Sequence, residues 1–275
     1  MILKTNDYTP TFIESAEGDG VTMFNDLVKL DRGNLICIAA RPGMGKTSLV
    51  LHMALEYAKK CDKTVYIFSI DSCSGEIHER MLCSLAEIDI DHMRSRKLSA
   101  EDKNKIAEAS ALLKDMNIII DDAAELTDRQ MMERLDTVDN LGLVIVDDSL
   151  RFMNCSRKME ISAQENPIVT RELKRFAIIK NIPVILTHKL NRKIEKRENN
   201  RPNLKDIRDD GALEQDSDTV IYIYRDEYYK GVTEECSQAE IIIAKNRYDC
   251  VDTVFLKWQG RYGKFREGYK VNKNT

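Results

Sequence analysis

Short, uniformly apolar runs recur along the chain, separated by longer stretches in which apolar residues return at helical spacing. Leu35 to Ala39, Thr64 to Ile70, Asn117 to Asp121, Leu143 to Asp148 and Ile182 to Thr187 have the length and β-branched content of buried strands. Between them, Ser48 to about Lys60, Glu76 to about Leu113, Thr127 to Val138 and Thr170 to Lys180 carry the periodicity of helices. The second of these is interrupted from Asp89 to Ser99, where Ser99-Ala100-Glu101-Asp102 has the form of a capping box that restarts it. Thr219 to Tyr224, Ala239 to Ala244 and Thr253 to Trp258 follow as closely spaced β-forming runs. Strands that are apolar throughout and alternate with helices predict an α/β fold, a mainly parallel central sheet covered on both faces. The last three runs lie too close together for crossover helices and predict antiparallel strands at one edge. Residues 1–20 are polar, with Pro10 and two glycines, and read as an arm; residues 21–275 read as one domain, entered through a short amphipathic stretch from Thr22 to Leu30.

Composition narrows this picture without redirecting it. The 275 residues are 43% hydrophobic and 32% charged, as in an ordinary globular protein, and no apolar run approaches the ~18 to 20 residues of a membrane span. The N-terminus lacks a basic region followed by an apolar one, so the chain reads as cytoplasmic, with no membrane partner. Seven cysteines, scattered and without close pairs at zinc-ligand spacing, predict free thiols. The net charge of −4 argues against a surface coated for non-specific nucleic-acid binding, yet residues 189–208 hold eight basic residues against three acidic ones. A stretch of that length without apolar periodicity predicts a functional loop.

The strongest chemical signal follows the first strand. Ala40-Arg41-Pro42-Gly43-Met44-Gly45-Lys46-Thr47-Ser48 joins that strand to a helix through a turn that Pro42 and Gly43 force. A strand, a tight turn and a helix N-terminus gather backbone N–H groups around one point, where the helix dipole adds positive potential. This is the spacing of a phosphate-binding loop, with Lys46 reaching the outer phosphates of a nucleoside triphosphate and Thr47 holding Mg²⁺ through its hydroxyl.

Ligands of open α/β sheets collect at the carboxyl ends of the strands. Asp71, the Asp147-Asp148 pair and the His188-Lys189 pair should therefore meet the loop there. Asp147 is the expected metal-side carboxylate, while Asp71 and Asp148 compete to orient the attacking water. Either His188 or Lys189 is placed to sense a γ-phosphate, and strand alternation decides which of the two faces inward.

Taken together and in order, these motifs resemble the RecA-like motor domain of DnaB-type replicative helicases, a P-loop ATPase fold, from about Asp31 to Phe265. The resemblance rests on Ile38 to Thr47, on Arg201-Pro202 leading to Asp206 through Asp218, on Tyr224-Arg225-Asp226-Glu227 and on Ala239 through Arg247. That family also has alanine where Ala40 stands. The resemblance implies ATP and Mg²⁺ as cofactors, a homo-oligomeric and usually hexameric ring, ATP hydrolysis between subunits, translocation on single-stranded DNA, and a replication loader or primase as partner. It covers the motor domain without the family's helical N-terminal domain. Lys245 and Arg247 match the basic pair that reaches into the neighbour's nucleotide site, and Arg208, Asp209 and Gly211 match a channel loop that contacts the DNA backbone.

Four departures stand out: Asp71 replaces a glutamate at the catalytic carboxylate, Asp148-Ser149 follow Asp147 where the family has tyrosine, Lys189 takes the place of a glutamine, and Asp209-Asp210 add negative charge to the channel motif. They motivate an alternative, a weakly hydrolysing nucleotide-dependent DNA-binding or regulatory module that assembles with a replication partner. A RecA-like recombination or clock-type ATPase is disfavoured by the channel motif.

Overall fold

The computed structural model describes residues 30, 33–123, 126–147, 165–207, 211–230 and 237–267. The expected amphipathic stretch 22–29 and the sequence-predicted site residues Asp148, Arg208 and Asp209 lie outside the described residues.

One nine-stranded sheet, in the order β3-β2-β4-β5-β1-β6-β7-β8-β9, forms the centre. The parallel part consists of β1 (Leu35–Ala40), β2 (Thr64–Ser69), β3 (Ile118–Asp121), β4 (Leu141–Asp147), β5 (Val184–Lys189) and β6 (Thr219–Tyr224). The edge formed by β7 (Ser237–Asn246), β8 (Asp252–Gln259) and β9 (Lys264–Glu267) is antiparallel. The runs read as strands are all strands. The small β9, with only Phe265 as a fully buried apolar anchor, was not anticipated.

Alternation along β1 splits the core into two layers, as a doubly covered sheet requires. Ile36, Ile38 and Ala40 pack against Leu49, Val50 and Met53 of α1 (Lys46–Lys60), Ile77 and Met81 of α2 (Ser74–Ala86) and Leu113 of α4 (Ala100–Asp115). Leu35, Cys37 and Ala39 pack on the other face against Met131 and Leu135 of α5 (Asp128–Asp136) and Leu173, Phe176 and Ala177 of α6 (Glu165–Lys180). Each large apolar side chain among these contributes ~1.5–3 kcal/mol on burial, and because every residue of β1 is buried the strand is held rigidly from both sides. The break predicted near Asp89 contains the short α3 (Ile90–Arg94), and α4 begins at the predicted box, with Ser99 and Asp102 capping each other's backbone N–H.

The basic segment differs from its expectation. It contains two 3₁₀ turns, Arg192–Lys196 and Leu204–Asp206, and is pinned by the buried Leu190, Ile194 and Ile207. Several of its cations are tied within the chain, Arg197 to Asp206 at 2.7 Å and Arg201 to Glu240, with Arg201 also stacked 4.6 Å over the Tyr224 ring. Arg192, Lys193, Lys196 and Lys205 remain exposed on the outer side. Three anchors spaced too irregularly to form a helical or strand pattern hid the order of this loop.

Candidate active site at the carboxyl edge of the sheet

The parallel register brings the carboxyl ends of β2, β4, β5 and β1 side by side, with Ser69 opposite Asp147, Val146 opposite Leu186 and Ala40 opposite Lys189. Three strand spacings, about 14 Å, separate the outer two.

The loop from Arg41 to Gly45 leaves β1 and feeds α1. Gly43 at φ +79° and Gly45 at φ +99° adopt the left-handed region that side-chain-bearing residues disfavour. At Gly45 space adds a second reason, because a Cβ would lie 2.9 Å from the Phe265 ring and 3.4 Å from Trp258. No side chain caps the N-terminus of α1 and no acid sits in its first turn. Its first N–H groups thus face outward beside Lys46, whose side chain is buried, and this concentrates positive potential where an anion would dock.

Behind the loop stand residues that sequence reasoning did not assign. Arg225 donates from Nη1 to the Gly43 carbonyl at 3.0 Å, lies 4.9 Å over the Trp258 ring and is paired with Glu227. Trp258 and Phe265 are in ring contact at 4.6 Å, and the half-exposed Tyr228 abuts Gly43. The antiparallel edge therefore supplies Trp258 and Phe265 to a wall behind the loop, and the segment after β6 supplies Arg225 and Tyr228. Arg225 lies within the motif from Tyr224 to Glu227, but nothing in spacing tells which residue a folded edge turns toward the loop.

Asp147 ends β4 and is 4% exposed. Its two oxygens accept hydroxyl protons from opposite sides, Oδ2 from Thr47 at 2.9 Å and Oδ1 from Thr187 at 2.6 Å. The single Thr47 proton is thereby committed to Asp147, and the hydroxyl's lone pairs remain as ligands for a hard cation. Thr47 and Asp147 are thus the residues that could hold Mg²⁺, oxygen donors of the type that ion prefers. Thr187 is a third member that the sequence did not single out.

Alternation along β5 resolves His188 from Lys189. Val184 and Leu186 belong to the α6-side layer and Ile185 to the α1-side layer, so Thr187 and Lys189 share the loop face and the buried His188 turns away. Asp71 lies two residues beyond the end of β2, and its Oδ2 accepts from Lys189 Nζ at 3.0 Å. Two candidates expected to act separately are an ion pair.

Other members of the loop take unexpected positions. Met44 is buried in the α1-side core. The buried Arg41 turns from the loop's mouth, donating from Nε to Glu195 at 2.8 Å and from Nη1 to the Leu190 carbonyl at 2.6 Å. Pro42 is exposed, Ser48 is half-buried in the first turn of α1, and Gly211 begins α7 (Gly211–Asp216).

Lys245 and Arg247 are remote from this edge. The antiparallel β7 ends where β1 begins. Lys245 Nζ donates to the carbonyls of Glu214 at 2.7 Å, Gln215 at 3.3 Å and Ser217 at 2.6 Å, closing the C-terminal end of α7. Burial lowers its ammonium pKa, partly opposed by Asp218. The exposed Arg247 pairs with the buried Asp218 at 3.2 Å, and Asp218 also accepts from the Leu35 N–H and from Lys174. The five residue steps of β1 between this end and the loop amount to about 17 Å, beyond the reach of either side chain.

The family model described as "DnaB-like helicase C terminal domain" matches residues 20–267. The chain belongs to this family. Replicative DNA helicase DnaC of Bacillus subtilis (strain 168) is 37% identical over 237 residues, which are 85% of this chain and 52% of that protein. Replicative DNA helicase DnaB of Buchnera aphidicola subsp. Acyrthosiphon pisum (strain APS) is 38% identical over 259 residues, 90% of this chain and 56% of that protein. The chain thus spans about half the length of these curated relatives. Among solved structures, one titled as an ATPase domain superposes with a TM-score of 0.83 at 29% identity, covering 94% of this chain and 95% of that one. A second, titled "The Structure Of A DnaB-Like Replicative Helicase And Its Interactions With Primase", gives a TM-score of 0.84 at 28% identity over 92% of this chain and 62% of the other. The DnaB-type fold is therefore the RecA-like one that the sequence motifs implied, with its parallel centre and antiparallel edge.

Proposed function

We propose that the chain is the ATP-hydrolysing motor of a DnaB-type helicase that translocates on single-stranded DNA as a ring, with each nucleotide bound between neighbouring subunits. The observation that carries this is the separation of two half-sites. The phosphate loop, Asp147 and Asp71 occupy one edge of the sheet, whereas Lys245 and Arg247 are about 17 Å away at the other end of β1. A basic pair so placed serves a nucleotide only if that nucleotide sits on the next subunit. Family membership favours this motor over a weakly hydrolysing regulatory module.

In this reading the loop's backbone N–H groups and Lys46 cradle the phosphates, while Tyr228, Trp258 and Arg225 offer a stacking wall for the base. Thr47, through its hydroxyl, and Asp147 would hold Mg²⁺, which would supply positive charge to offset that of the terminal phosphates. Asp71 accepts the proton of the attacking water as its oxygen bonds to the γ-phosphorus. The bond to the bridging oxygen breaks and its electron pair leaves with ADP. Arg247 of each subunit stabilises the charge that develops on the neighbour's phosphate. Arg208, Asp209 and Gly211 would contact the DNA backbone, in a manner indifferent to sequence. The ring is taken to be hexameric, with a loader or primase as partner; the primase assignment leans on the relative whose title names that interaction. No helix among the described residues is long and apolar enough to cross a membrane, and a replication motor would work in the cytoplasm.

The test is ATP hydrolysis with and without single-stranded DNA. Lys46→Ala should abolish turnover, and a variant that keeps it would overturn the mechanism. Mixing Lys46→Ala with Arg247→Ala subunits should restore some activity at composite interfaces. No rescue in verified mixed assemblies would refute action in trans.

A further inference from the structure

Asp71 and Lys189 come from different strands and meet across a third. Lys189 ends β5, β4 intervenes, and Asp71 follows β2, yet Nζ and Oδ2 are 3.0 Å apart. The backbone of Lys189 is fixed beside the phosphate loop: it registers with Ala40, the next N–H donates to the Ala40 carbonyl at 3.0 Å, and the Leu190 carbonyl accepts from Arg41. Its side chain shares the face of Thr187, the face on which Asp147 and Thr47 meet. The side chains of Asp71 and Lys189 are 51% and 26% exposed, so water screens the pair and little is lost when it opens.

From this geometry we propose that Lys189 is a positioning residue that restrains Asp71 until a γ-phosphate arrives. Without that phosphate the ammonium holds the carboxylate, whose acceptor oxygen is then unavailable to a water. A terminal phosphate beside the loop carries more negative charge than a carboxylate, and a compact ammonium on a flexible stem follows the greater charge. The transfer of Lys189 from Asp71 to the phosphate stabilises bound triphosphate and frees the carboxylate in one motion. A diphosphate leaves the pair closed. The same contact thus selects ATP over ADP and keeps the base idle in the empty site. This inference rests on the assignment of Asp71 as the water-activating carboxylate.

The pair is closed in one nucleotide state and open in the other, so it must appear as coupling in nucleotide binding. The test is a double-mutant cycle of Asp71→Asn and Lys189→Met, read by the ratio of dissociation constants for ADP and a non-hydrolysable ATP analogue. Lys189→Met should reduce the preference for the ATP analogue several-fold. It should reduce it by a clearly larger factor in the Asp71→Asn background, where Lys189 has no carboxylate to leave. A preference unchanged within twofold by Lys189→Met, or an equal effect in both backgrounds, would overturn the proposal. Asp71→Ala distinguishes the pairing from the assignment beneath it: full turnover in that variant would remove the assignment, whereas a dead Asp71→Ala with equal Lys189→Met effects in both backgrounds would sink the pairing alone.

Discussion

Thr187→Val removes a single hydroxyl while keeping the side chain's shape, and it isolates how Asp147 is held. Thr187 is 1% exposed and donates to Asp147 Oδ1 at 2.6 Å, on the side opposite the Thr47 contact. A hydrogen bond to a charged acceptor contributes about 1.5–3 kcal/mol net. Asp147 is only 4% exposed, so water is a poor replacement and the upper half of that range applies. For a domain of this size each kcal/mol moves the melting temperature by ~2–4 °C, so Thr187→Val should melt roughly 5–12 °C lower. Thr187→Ser keeps the donor and loses only a methyl, and should fall by less than half as much. The same change loosens the carboxylate expected to hold the metal's water shell. Turnover at limiting Mg²⁺ should drop about tenfold or more, because a misplaced catalytic group is costly, and excess Mg²⁺ should recover part of it. Thermal melts paired with an Mg²⁺ titration of ATPase activity measure both effects. Equal losses in the serine and valine variants would show that packing rather than the hydrogen bond matters, and an unperturbed valine variant would refute the whole assignment.

Two further outcomes follow from other ion pairs. Glu195→Gln keeps an acceptor for Arg41 but removes its charge, loosening the strut between the phosphate loop and the basic segment. Basal ATPase should stay within about twofold while stimulation by single-stranded DNA declines, since a loosened pair of this kind costs only a modest coupling energy; a DNA titration of turnover measures it. At Asp121, burial pushes the carboxyl pKa up, but hydrogen bonds from Arg134 and Tyr66 outweigh it and hold the group below its usual range. A depressed carboxylate supplies stability that is present above its unfolded pKa and lost as pH falls through the folded one. The protein should therefore hold its stability from neutral pH to about pH 5 and lose this contribution below about pH 4. Asp121→Asn should be less stable at pH 7 and show a shallower acid limb in denaturant melts followed against pH.

What the sequence made legible was what repeats or is local. Uniformly apolar strands announced the parallel sheet, and Ser99 with Asp102 announced the start of α4, because both signals are complete within a few residues. The turn after β1 was legible for the same reason, forced by Pro42 and Gly43, whereas the left-handed backbone of both Gly43 and Gly45 is known only from the fold. The contacts that finish the site were not. Thr187 reaches Asp147 across 40 residues, Lys189 reaches Asp71 across 118, and Arg225 reaches Gly43 across 182. Such pairs depend on strand order and on alternation, and the choice between His188 and Lys189 stayed open until the layer that each residue of β5 joins was known. Arg41 belongs with them: it lies within the loop's own motif, yet its guanidinium donates to Glu195 and to the Leu190 carbonyl, 154 and 149 residues away.

The strand that carries the loop also runs to Arg247, the residue proposed to serve a neighbour's nucleotide. The carboxyl end of β1 presents the phosphate loop, and its amino end is bonded to Asp218 through both backbone groups of Leu35, the N–H to the carboxylate and the carbonyl to the Asp218 N–H. Asp218 is 2% exposed and carries Lys174 and Arg247 on the same carboxylate. Breaking a buried ionic group of this kind typically costs about 3–5 kcal/mol, more than a small loop movement could supply. Under the proposed ring, β1 then behaves as a stiff rod with one nucleotide at its loop end and a neighbour's nucleotide near Arg247 at the other. A displacement at the first site would reach the second as a rigid-body movement rather than by a loosening of Asp218. Signalling between adjacent sites would accordingly depend on how subunits tilt against one another, with Lys245 carrying α7 along in the same movement.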